Sequence, residues 1–92
     1  MTTTRQGDQD RATDRDRRDA LNDLIGKHVV RSLGSPVDLF KVQVRPLGNE
    51  HYRVNVLVGK GSTSARIADS FFLTADEEGN IVTSSPEIVR HY

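Results

Sequence analysis

Asp69 is the acidic side chain of this sequence whose surroundings could do chemistry. Along the run from Ile67 to Leu73, strand alternation sets Asp69 on the same face as Ile67, Phe71 and Leu73. A carboxyl group held in such an apolar cup has a raised pKa and can act as a general acid or base, with His28, His51 or Tyr52 beside it. The structural alternative is a β-bulge at Asp69 and Ser70, which turns the carboxylate to solvent. Other catalytic patterns are weaker. His28, His51 and His91 lack the spacing of metal ligands, and no nucleophile elbow joins serine, histidine and aspartate as a triad. The chain has no cysteine, which excludes disulfides, thiolate zinc sites and cysteine nucleophiles. The loop from Gly59 to Thr63 gathers glycine, lysine and hydroxyl side chains, but a phosphate-binding loop runs Gly-x-x-x-x-Gly-Lys-Ser/Thr into a helix, and here a strand follows. No residue pattern calls for a cofactor or a metal.

Two further groups of residues suggest binding. Lys41, Arg45, Arg53, Lys60 and Arg66 are candidates for an anion or nucleic acid. If Val44 pairs with Val54 across a three-residue turn at Gly48 to Glu50, Arg45 faces Arg53, and an anion would relieve the repulsion. A register shifted by two residues sets Arg53 opposite Gln43 and Arg45 opposite His51, which removes the conflict. No aromatic residue interleaves with Lys41, Arg45 and Arg53, so base stacking lacks support. The second group is apolar. Ala65, Ile67, Phe71, Leu73 and Ile81 can share one sheet face, which leaves Phe72 and Val82 on the other, paired across a hairpin. With Leu57 they would form an exposed patch of the kind that marks a partner surface. The competing expectation folds the C-terminal segment, through Ile88, Val89 and Tyr92, over them.

These residues need elements to position them. Phe40 to Arg45 and Tyr52 to Val58 alternate apolar and polar residues, the pattern of a β-hairpin. Phe40, Val42, Val44, Tyr52, Val54, Val56 and Val58 fall on one face, and Lys41, Gln43, Arg45, Arg53 and Asn55 on the other. A second hairpin runs from Ala65 to Ala75 and from Ile81 to about Ser85, with Gly79 suited to the left-handed position of its turn. Pro86 ends or edges the last strand. Upstream, Leu21, Leu24, Ile25, His28, Val29 and Leu33 recur with the spacing of one helical face. Gly34 is placed to cap that helix and Pro36 stops it. Gly26, inside it, marks either close packing on the sheet or fraying of the first turns.

Composition sets the remaining bounds. Thr2 to Asp19 holds five arginines and five aspartates with Ala12 as its only aliphatic residue, so residues 1–18 read as a disordered charged tail whose interleaved signs cancel. Residues 19–92 form a single domain, near the size at which one core is only marginally sufficient. Lys27 to Arg66 carries seven basic residues against Asp38 and Glu50, whereas Ile67 to Tyr92 is predominantly acidic. The two halves can meet within the fold or between subunits. No apolar run reaches membrane-spanning length and the N-terminus lacks a signal-peptide core, so the expectation is a cytoplasmic protein with no membrane partner.

The expected fold is α+β: one N-terminal amphipathic helix packed on a curved four-stranded antiparallel sheet made of two hairpins. From Asp19 to Tyr92 this order of elements resembles a minimal cystatin-like or nuclear-transport-factor-2-like cone, a resemblance of architecture that transfers no activity. The functional expectation is a small non-enzymatic interaction module, a homodimer joined through the sheet or a binder of another protein. The alternatives are anion or nucleic-acid binding through the basic outer face, and a small cone-shaped ligand-binding or enzymatic domain centred on Asp69.

Overall fold

The computed structural model describes the backbone from Thr2 to Tyr92 and the side chains from Asp16 onward. One helix, α1 (Thr2–Leu33), is followed by β1 (Leu39–Gly48), β2 (His51–Val58), β3 (Arg66–Ala75) and β4 (Ile81–Ser85). The strands form one antiparallel sheet in the order β1-β2-β3-β4. This is the α+β architecture expected, one helix on two successive hairpins. The charged tail expected over residues 1–18 lies, up to residue 15, outside the residues described with side chains, and Asp16 to Arg18 are exposed positions of α1.

Ile25, Val29 and Leu33 are spaced four apart and fully buried, and they pack with Tyr52, Val54, Val56, Phe71, Leu73 and Ala75 from the sheet's inner face. Each such side chain contributes about 1.5–3 kcal/mol by leaving water, which is why one stripe suffices to seat the helix. Gly34 ends α1 with a φ of 93° and donates its amide to Val30 O at 2.7 Å, a left-handed cap that a side chain would strain. The amides of His91 and Tyr92 both donate to Leu33 O, at 2.7 and 3.1 Å. The C-terminal residues thus satisfy a carbonyl that the helix end leaves open. They run under the inner face, with Ile88 against the core, instead of covering Phe72.

The first hairpin adopts the register with Val44 opposite Val54 and Arg45 opposite Arg53. Its turn is shorter than the three residues expected. Gly48 pairs with His51, the two turn residues Asn49 and Glu50 both have positive φ, and Leu47 is the extra residue of a bulge. Paired positive φ values give the turn the twist that joins adjacent strands, and Ala75 of β3 donates its amide to Glu50 O at 3.0 Å.

Bulges also correct two inward assignments. An irregularity between Leu39 and Lys41 turns Phe40 outward and brings Leu39 opposite Val58, against the core. A second, at Ala68, pairs Val56 with Asp69 but Leu57 with Ile67. Ile67 therefore sits on the outer face, 56% exposed, because one additional residue reverses the side-chain parity beyond it. In the second hairpin Phe72 pairs with Ser85 and Thr74 with Thr83, and an irregularity leaves Val82 unpaired. Phe72 and Val82 are not cross-strand partners. The β3–β4 turn is held by the Asp76 carboxylate, which accepts the amides of Glu78 and Asn80, each at 2.9 Å. The Asn80 amide is the chief cause of its lowered pKa, since hydrogen bonds to the charged form favour it.

Candidate functional site

Asp69 keeps the inward parity expected of it, but it is only half-buried and its partner is the C-terminus. Tyr92 Oη donates to Asp69 Oδ2 at 2.8 Å, and this bond, followed by burial and the carboxylate's charge, raises the Tyr92 pKa. Of the neighbours expected for it, Tyr52 is buried in the core opposite Leu73 and the two histidines are occupied elsewhere. His28 Nδ1 donates to the Gly79 carbonyl, and His51 Nδ1 to that of Asn49. The Asp69–Tyr92 pair ties the last residue to β3 at the end of the sheet. Among the described residues no three metal-ligating side chains are grouped, and no helix is long and apolar enough to cross a membrane.

The outer sheet face gathers some of the basic candidates and disperses the rest. Lys41 lies opposite Leu57, and Arg45 opposite Arg53. Arg53 leans away from Arg45 toward β3: its Nη1 donates to Ser70 Oγ at 3.0 Å, Ser70 Oγ donates to Asn55 Oδ1 at 2.7 Å, and its Cζ stands 3.9 Å from the Phe72 ring centroid. This cation–π contact and the hydroxyl absorb part of the like-charge strain. Lys60 is in the β2–β3 loop, and Arg66 lies opposite inward Val58, where its charge acts on Tyr92. Neither joins the other three.

The apolar interface candidates occupy the same outer face in separate rows. Leu57 is beside Ile67, Phe72 is beside Arg53, and the Asn55–Ser70 row lies between them. Phe72 is 50% exposed and Val82, beyond the hydrogen-bonded Thr74 and Thr83 hydroxyls, is 64% exposed.

One open concavity is not legible as such in the sequence. Between α1 and β1 an open groove of about 1170 Å³ has Leu39, Val42 and Val44 on its floor. Its wall is the helix face carrying Asn22, Gly26 and Val30, and Asp19, Asp23, Lys27 and Arg31 line it too. A Cβ on Gly26 would stand 3.5 Å from Val42 Cγ1 and 3.6 Å from Val44 Cγ2, so this glycine marks the close approach of α1 to β1. Arg90 and Ser35 also line the groove. A signal for it was present in sequence, since positions 19, 22, 23, 26, 27, 30 and 31 repeat with helical spacing beside the core stripe. Compared with known proteins, the chain matches no family, no curated protein and no solved structure.

Proposed function

We propose that this protein is a small non-enzymatic interaction module that forms a homodimer through its sheet, using the inner face of β1 that α1 covers only in part. The observation that carries the reading is the groove itself: Leu39, Val42 and Val44 remain only partly buried beside the helix. A domain this small gains stability when a partner removes such side chains from water. The outer-face candidates Leu57, Phe72 and Val82 make the weaker surface, because polar rows divide them. The free edge of β1 is also a poor joint by itself, since Lys41, Arg45, Pro46 and two irregularities blunt it against strand pairing. A cytoplasmic location accompanies this proposal, and the cystatin-like or nuclear-transport-factor-2-like cone enters it as architecture only.

Light scattering of the full chain over a range of concentrations and salt tests it. A dimer that persists at high salt is expected, because an apolar floor is insensitive to screening. A monomer at every concentration would remove self-association. A second reading, anion binding on the outer face, is favoured by the Arg45–Arg53 pair. It requires an affinity for polyanions that falls steeply with salt and is lost in the double variant Arg45→Ala, Arg53→Ala.

A further inference from the structure

We infer that the partner in the groove is a second copy of α1, antiparallel to the first, with Asp19 and Asp23 of each copy set against Arg31 and Lys27 of the other. This rests on the self-association proposed above and specifies its geometry. The four charges are spaced by four residues and form one i±4 ridge on the helix, the ridge that interdigitates with its like in the commonest mode of helix packing. Two acids occupy its N-terminal half and two bases its C-terminal half, and all four are exposed along the groove.

An isologous interface brings residue i of one copy to residue j of the other, and j to i. A two-fold axis level with residue 25 lies midway between Asp23 and Lys27 and midway between Asp19 and Arg31. One rotation therefore makes every pair along the ridge opposite in sign. A parallel arrangement in the same register would set acid on acid and base on base. The ridge thus selects one orientation, as flanking charges do in coiled coils. Gly26, beside the ridge and near the level of the axis, already packs on Val42 and Val44 of its own chain, so the ridge side chains themselves make the contact between copies. Exposed ion pairs add little affinity singly. Here the apolar floor supplies the adhesion and the charges supply the register.

The test uses two charge-reversed full-length chains. Lys27→Asp with Arg31→Asp makes the ridge wholly acidic, and Asp19→Lys with Asp23→Lys makes it wholly basic. Sedimentation equilibrium is expected to show each variant alone dimerising at least about tenfold more weakly than the parent, since like charges then face each other. An equimolar mixture should regain a dimer containing one of each. That rescue also shows that neither variant had merely unfolded. Variants that dimerise as tightly as the parent, or a mixture that stays monomeric, would overturn the antiparallel ridge while leaving self-association by another face. A parent chain that is monomeric throughout would remove both.

Discussion

The two flanks of α1 meet the sheet in opposite ways. On the β4 side the β3–β4 turn closes over the helix: Gly79 sits against Leu24, Ile25 and Leu21, and its carbonyl takes the His28 imidazole N–H. On the β1 side Gly26 brings the helix close to Val42 and Val44, yet a groove runs along the junction. Each flank uses a glycine at its closest approach. One glycine is held in a left-handed conformation against backbone and Cβ atoms, and the other is in ordinary helix with room for a methyl group. A tight flank resists change, whereas an open one tolerates it and can receive a partner.

Ile25 is fully buried between helix and sheet, and its truncation should have the largest effect. Ile25→Ala is expected to lower stability by about 2–5 kcal/mol, because the residue is fully buried and the gap left in the core cluster it shares with Val54, Val56 and Phe71 cannot collapse completely. Urea unfolding at fixed protein concentration measures it. A loss well under 1 kcal/mol would mean that α1 is not seated as described.

Gly79→Ala tests the closed flank alone. The φ of 79° disfavours any side chain, and the new Cβ would stand 2.9 Å from Leu24 Cβ, which cannot swing aside. The left-handed backbone costs about 1–2 kcal/mol before that contact is counted. Gly26→Ala on the open flank should reverse the sign. Its methyl group would meet Val42 and Val44 at ordinary van der Waals distance, and alanine in a helix interior is favoured over glycine by up to about 1 kcal/mol. Equal destabilisation by both substitutions would abolish the contrast between the flanks.

How much of this was legible in the sequence differs along the same lines. The closed region was readable: Ile25, Val29 and Leu33 repeat with helical period, Tyr52, Val54 and Val56 with strand period, and Gly79 with its flanking acids marks a turn. Phe40 and Ile67 were misplaced because a bulge inserts one residue without any periodic signature, then reverses the parity of everything beyond it. The groove escaped for another reason. Periodicity reports which side of a helix faces a sheet, but not where an open margin remains along the strand that the helix approaches. The four charges from Asp19 to Arg31 were visible as residues, and their meaning depends on the surface they border.

The smallest effect concerns the end of the open flank, where Arg90 lines the groove and Tyr92 anchors the chain to Asp69. The neutral phenol donates to the carboxylate, whereas a phenolate would repel it, so the bond and the adjacent charge raise the Tyr92 pKa above the ordinary tyrosine value. The folded pKa lies above the unfolded one. The tether's contribution is therefore complete below about pH 10 and is lost as pH rises through the higher folded value. Spectrophotometric titration should show one tyrosine ionising later than a free phenol, with that transition absent in Tyr92→Phe and moved back toward the ordinary value in Asp69→Asn. Because the amides of His91 and Tyr92 also hold Leu33 O, breaking the side-chain bond should loosen only the margin of the groove. Amide exchange that quickens at His91 and Tyr92 in Tyr92→Phe, with that of the β2 core unchanged, is the expected pattern. Quickening across β2 as well would show that the open flank depends on its terminal tether as strongly as the closed flank depends on its turn.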